Sequence, residues 1–264
     1  MILCMDRIGG MTMTMVLLTA LGVGGATIIG SIIGFAFKKI SHRFSDIVLA
    51  FAAGVMLAAA VTGLILPSLE HGGSGGLPVT VLGIFCGAIC LNFMDRLVPH
   101  LHRLTGADQE AHPHVTEQQN KVLLFVLAIA IHNLPVGIAA GVGFGTGNVG
   151  EAITIAAGIA LQNIPEGMVI IAPMLAAGIS PGRTFVAATL TGVVEVLGTL
   201  LGYFAVSLSS AILPFALAFA GGTMLYVISD EMIPETHAHG SERWATYALL
   251  GGFCLMLAMN QYLG

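Results

Sequence analysis

Charge is what this 264-residue chain has least of. Nine Lys and Arg with fourteen Asp and Glu make up only 9% of the residues, where a soluble globular domain carries about 25%. So few charges exclude a large soluble domain, and no nucleic-acid partner is expected. Hydrophobic residues supply 56%, in continuous runs about 20 residues long. Barrel strands alternate polar and apolar residues, so runs of this kind are helical membrane spans. The four cysteines, Cys4, Cys86, Cys90 and Cys254, form no CxxC. Cys86 and Cys90 share a helix face, where small buried packing residues are expected rather than a thiolate site. There is no GxxxxGK[ST] run to harness ATP, and no HExxH, Ser–His pair or paired aspartates at membrane depth. An enzyme is therefore not expected. Asp6 and Arg7 precede a run long enough to span, unlike a cleavable signal peptide, and Met1, Met5, Met11, Met13 and Met15 leave the start undecided.

The runs predict an all-α polytopic membrane protein of eight transmembrane helices, at roughly 14–37, 46–68, 77–97, 121–145, 151–177, 183–207, 211–234 and 244–263. A loop over about 98–120 holds His100, His102, His112 and His114, with a composition that suggests poor order. Lys38, Lys39, Arg43, Arg96, Arg103, Lys121, Arg183 and Arg243 all fall after odd-numbered spans, and only Arg7 falls on the other side. Positive charge collects on the cytoplasmic side, so both termini are expected outside.

Two short polar runs interrupt the apolar pattern. They are Ile131-His132-Asn133-Leu134-Pro135-Val136-Gly137 and Leu161-Gln162-Asn163-Ile164-Pro165-Glu166-Gly167. Counting along the spans places His132–Asn133, Asn163–Ile164, Glu195 and Met56 near mid-depth of four helices. A charge at the bilayer centre costs about 2.5–3.5 kcal/mol even on the lenient insertion scale. A divalent cation offsets that cost, because carboxylates neutralise it and imidazole supplies a nitrogen ligand. Gln162 and Glu166 are four apart and so share a helix face. Pro135 and Pro165 lack an N–H, which frees the carbonyls of Ile131 and Leu161. Paired broken helices at mid-depth point to a transporter's binding site, and Gly137 and Gly167 are expected to let their helices approach closely. Each feature also has a plainer reading: a structural kink, an imidazole bonded to a neighbour, a Glu195 satisfied by Thr191 or Thr199, a Met56 that only packs. Their shared depth favours one functional polar site.

These residues resemble the ZIP (Zrt-, Irt-like protein) family of divalent metal transporters, most of all its prokaryotic GufA-type branch. The family carries His-Asn-x-Pro-Glu-Gly in its fourth helix and a related (His/Gln)-(Asn/Asp)-x-Pro-Glu-Gly run in its fifth, here His132–Gly137 and Gln162–Gly167. The likeness extends to Ala53-Gly54-Val55-Met56, Val194-Glu195-Val196, Met224-Leu225-Tyr226, Ser229-Asp230-Glu231 and Pro234-Glu235-Thr236-His237. It implies that His132, Gln162, Glu166 and Met56 are ligands of a first metal site, and that Asn133, Asn163 and Glu195 belong to a second. It further implies a single transmembrane domain over 1–264, with scaffold spans about 46–97 and 211–263 and metal-carrying spans about 14–37 and 121–207. An elevator-like movement between them follows from that division.

The chain departs from the family at Val136, where a metal-bridging Glu is usual, and has Asn163 where some relatives have Asp. One well-formed site, from His132, Gln162 and Glu166, is therefore expected beside a weak or empty second. The implied function is uptake of zinc, or of iron, manganese, cobalt or cadmium, across the inner (cytoplasmic) membrane. Asp230, Glu231, Glu235 and His237 would form an exit path, although Glu231 reads equally as a solvated helix end. The expected partners are divalent metal ions and the lipid bilayer, with a homodimer left open. The rival readings are a proton-coupled carrier of an organic solute using Glu166 and Glu195, and a metal sensor that transports little because of Val136.

Overall fold

The computed structural model describes residues 13–36, 41–104 and 117–263. Every regular element among them is helical. The helices are α1 (Met13–Ala36), α2 (His42–His71), α3 (Gly76–Leu104), α4 (Glu117–Gly143), α5 (Val149–Ala176), α6 (Pro181–Leu208), α7 (Leu213–Thr236) and α8 (Glu242–Leu263). Among the described residues seven helices, drawn from α1 to α7, are long and apolar enough to cross a membrane. The eighth has 22 residues, enough for a hydrocarbon core about 30 Å thick at 1.5 Å per residue, and is made less apolar by Asn260 and Gln261. The chain is a multi-pass membrane protein. His112 and His114 lie outside the described residues, and so do the side chains of His100 and His102.

Local chemistry sets the ends of these helices. Ser41 caps α2 by accepting a hydrogen bond from the Phe44 amide, and Asn148 caps α5 by accepting from the Gly150 and Glu151 amides. Both satisfy amides that a helix start leaves unpaired. Pro181 and Pro214 open α6 and α7, where a missing N–H costs nothing. Gly147 turns α4 into α5 with φ 78°, a left-handed value that suits glycine.

Two turns widen into π-helix, Ala59–Ile65 within α2 and Ile228–Met232 within α7. Each is followed by a proline, Pro67 or Pro234, which cannot supply the ordinary amide to the turn before it. A π turn holds one residue more than an α turn and so rotates every later side chain. By contrast, α4 and α5 run helically through Pro135 and Pro165. The breaks expected at these prolines do not occur, because membrane helices accommodate the freed carbonyls through their neighbours.

The closest pairings are α4 with α6, α1 with α5, α3 with α7 and α2 with α8; α1 also packs on α6. With α2 also packing on α7, they sort the helices into two groups, α1/α4/α5/α6 and α2/α3/α7/α8. Gly137 and Gly167 do not bring α4 and α5 together as expected. Gly137 lies against the backbone of Glu195 on α6, and Gly167 against the backbone of Thr27 on α1. A Cβ at either position would strike main chain, so glycine is what permits these contacts. Between the groups the glycine contacts are with side chains: Gly63 of α2 faces Ile155, and Gly158 of α5 faces Met256. Cys86 is half-buried and Cys90 and Cys254 are exposed, which corrects the expectation of buried packing residues.

Candidate metal site

His132 sits at mid-length of α4, 7% exposed. Its Nε2 lies 3.4 Å from Oε1 of Glu166 on α5, and its Nδ1 lies 3.4 Å from Oε2 of Glu231 on α7. One imidazole thus bridges two carboxylates from different helix groups. Neither contact has hydrogen-bond geometry, for His132 Nδ1 and Glu166 Oε1 are both buried without a hydrogen-bond partner. Buried polar atoms are nearly always paired, so unpaired ones around a single imidazole mark a place where a further group is received.

Beside them opens a cavity of about 490 Å³. Met56, His132, Glu166, Asp230, Glu231 and Glu235 are among its lining residues. With Met232 also on the wall, it presents two thioethers, an imidazole and four carboxylates. A set dominated by nitrogen and oxygen donors, with thioethers as its only sulfur, suits borderline divalent ions and is poorly matched to Cu(I). Among the described residues, no three His, Cys, Asp or Glu side chains are gathered as tightly as the shell of an ion requires. An ion would have to draw Glu166 and Glu231 inward around His132.

The remaining expected residues are more deeply buried. Asn133 and Asn163 are fully buried, as is Glu195, and Gln162 is nearly so. Gln162 donates from Nε2 to Asn163 Oδ1 at 3.1 Å, and Asn163 donates from Nδ2 to the Val23 carbonyl at 3.0 Å. Glu195 Oε2 accepts a 2.7 Å hydrogen bond from Thr27. Thr199 bonds the Glu195 main chain instead, and Thr191 bonds Ala188, so neither satisfies the Glu195 carboxyl as one reading had it. Glu195 Oε1 and both side-chain polar atoms of Asn133 stay unpaired. Val136 is 1% exposed in the adjoining core, an apolar group where the family motif has a carboxylate. Of the seven expected ligands, the structure places Met56, His132 and Glu166 on the cavity and Gln162, Asn133, Asn163 and Glu195 off its wall.

Glu231 is the residue whose place the sequence least reveals. Counted in α-helical phase it falls toward the end of its span, among solvated acids. The π turn Ile228–Met232 carries it round onto His132. The only sequence signal is Pro234, three residues on, which disfavours an unbroken α turn there. Asp230 and Glu235 of the expected exit path also line the cavity. His237 does not: its Nδ1 lies 2.8 Å from the Ile233 carbonyl and 3.1 Å from Thr236 Oγ1, and its Nε2 lies 3.5 Å from Thr246 Oγ1. That ring closes the end of α7.

Known proteins resemble this chain along nearly all of its length. The sequence model of the family described as ZIP Zinc transporter matches residues 98–260. The chain is 39% identical to the zinc transporter GufA of Myxococcus xanthus, over 94% of this chain and 98% of that one. It is 38% identical to the zinc transporter ZIPB of Bordetella bronchiseptica, over 90% of this chain and 78% of that one. With the zinc transporter ZupT of Chlorobaculum parvum it shares 34% identity, over 88% and 91%. These relatives are named as transporters, not as enzymes. At such identity and coverage, the chain belongs to the ZIP family of zinc transporters.

Proposed function

We propose that this chain carries divalent metal ions, zinc foremost, inward across the cytoplasmic membrane, with His132 and Glu166 as the central ligands. The observation that carries the reading is the bridging imidazole of His132, 3.4 Å from each of two acids beside a cavity. Three polar donors at membrane depth are costly unless an ion repays their desolvation. His132, Glu166 and Met56 hold the ion on the cavity side, and Gln162 adds its carbonyl oxygen from the next turn of α5. Asn133, Asn163 and Glu195 line a second position, left weak or empty because Val136 supplies no bridging charge. Iron, manganese, cobalt and cadmium fit the same donors. A sensor with little transport is the reading that Val136 would favour.

The membrane potential, negative inside, contributes about 2.3 kcal/mol per charge per 100 mV, hence about 4.6 kcal/mol for a divalent ion. Import is downhill without ATP. The ion leaves past Asp230, Glu231 and Glu235, which stand on the side where basic residues collect. Movement is elevator-like: α1, α4, α5 and α6 carry the ligands past α2, α3, α7 and α8. Two features support this division. Within each group helices meet main chain to main chain at glycines, whereas across the divide the glycine contacts are with side-chain ends such as Ile155 and Met256, which can re-pack as surfaces slide. Glu231 and Met56 stay with the second group, so His132 would exchange those neighbours as it travels.

Radiometal uptake into proteoliposomes tests the proposal, comparing the parent with Glu166→Ala across zinc, iron, manganese, cobalt and cadmium. Zinc uptake by the parent and its loss in the variant are expected. Equal uptake by both would end the proposal.

A further inference from the structure

A second group of metal-binding side chains lies at the corner between the start of α2 and the turn joining α7 to α8. Asp46, in the first turns of α2, is a carboxylate only 3% exposed. Its Oδ1 lies 3.0 Å from Nδ1 of His239, and its Oδ2 is buried without a hydrogen-bond partner. The His239 side chain is 33% exposed. Its ring stacks on that of the exposed His42, with centroids 4.8 Å apart and planes at 25°.

A carboxylate at Nδ1 fixes the proton on that nitrogen and turns Nε2 outward as a free, more basic donor. Metal-binding histidines are backed in this way. A carboxylate so deeply buried, with one oxygen unsatisfied, gains from a positive charge on the far side of the imidazole. The cation nearest in sequence is already engaged, since the Arg43 guanidinium lies over the Trp244 ring at 5.0 Å. His237 is held by its own contacts and cannot join. His42, exposed at the helix start, can.

We propose that His239 and His42, with Asp46 behind His239, form a binding site for a borderline divalent ion such as Zn²⁺, completed by water. Two imidazoles suit Zn²⁺ or Co²⁺ and do not suit Mg²⁺, which demands oxygen ligands. The stacked rings must part for their nitrogens to share an ion, and their exposure allows it. Ala238, the residue before His239, lines the cavity at His132, so the corner stands at that cavity's edge. Its role as a staging point for an ion leaving the cavity rests on the inward transport proposed above; the binding itself does not.

Mass mapping of histidine modification tests the site on the full-length protein in nanodiscs. The protein is treated with diethyl pyrocarbonate at increasing Zn²⁺, and each histidine is read separately. We expect Zn²⁺ to protect His239 and His42 with one shared midpoint, and excess Mg²⁺ to protect neither. Loss of a backing carboxylate weakens such sites about 10–100-fold, so Asp46→Asn should raise the His239 midpoint by that factor. His42→Gln, at an exposed position where folding is not at risk, should raise it at least about tenfold. Protection should persist in Glu166→Ala. His132 is read in the same digest, so the cavity site and the corner site fail independently. Unchanged His239 reactivity with Zn²⁺, or a midpoint unmoved by His42→Gln, overturns the proposal.

Discussion

Thr27 on α1 donates a 2.7 Å hydrogen bond to the Glu195 carboxyl on α6, across 168 positions of sequence. It holds Oε2 of that carboxyl, while the other oxygen, Oε1, is unpaired. A buried group stripped of its partner loses about 1–3 kcal/mol. Thr27→Val removes the donor and keeps the shape, so the protein should melt lower by an amount in that range. Thr27→Ser should restore most of the loss. Equal melting of Val and Ser variants would mean that the hydroxyl matters little and that only the packing does.

Val136→Glu tests the proposed single occupancy. The new side chain is close in volume to the old and lies one helical turn from Asn133, whose side-chain polar atoms are unpaired. A second divalent ion would neutralise the added carboxylate. We expect bound zinc, measured by elemental analysis after equilibrium dialysis, to rise from about one to about two ions per chain at the membrane site, a gain that a bridging carboxylate makes electrostatically favourable. The His42/His239 corner is kept out of the count by a His239→Gln background in both proteins. Equal stoichiometry would show that Val136 is not what limits the second position.

Some of this arrangement can be read in the sequence and some cannot. Continuous apolar runs announce the helices, and the polar-Asn-aliphatic-Pro-x-Gly repeat announces α4 and α5 as a pair. Mid-depth counting brings His132 and Glu166 together correctly, because both lie in regular α-helix where 1.5 Å per residue holds. The same counting fails for Glu231, since a π turn inserts one residue into the phase. It fails for Gly137 and Gly167 as well. A glycine says that a backbone comes close but does not say whose, and here the backbones belong to α6 and α1. The bonds from Thr27 to Glu195 and from Asn163 to Val23 depend on how distant helices pack, which no local pattern encodes.

Acidity should act on the first site through competition. His132 must be neutral to bind metal, and Glu166 must be ionised, so protons and metal contend for the same atoms. An ordinary imidazole titrates near pH 6.5. Zinc uptake at low, fixed free Zn²⁺ should therefore fall as pH is lowered from about 7.5 to about 5.5. Saturating Zn²⁺ should recover it, so that KM rises while the maximal rate changes less. A fall in the maximal rate alone would place the sensitive group outside the ligand set.

Two alanine substitutions separate packing within a helix group from packing between groups. At Gly137 a methyl would meet the Glu195 main chain, which cannot yield without driving α6 from α4. Overpacking of this kind costs about 1–3 kcal/mol, so Gly137→Ala should lower the melting temperature and, by shifting His132, weaken zinc binding. At Gly158 the methyl would meet the Met256 side chain, Sδ 2.7 Å away. A thioether on a flexible stem can swing aside, so Gly158→Ala should melt close to the parent. If the two helix groups slide past each other, the added methyl catches on α8 during the movement. Gly158→Ala should then slow zinc uptake while leaving zinc affinity unchanged, the reverse of the Gly137→Ala pattern. Parent-like transport by Gly158→Ala would argue that this surface stays still during the cycle.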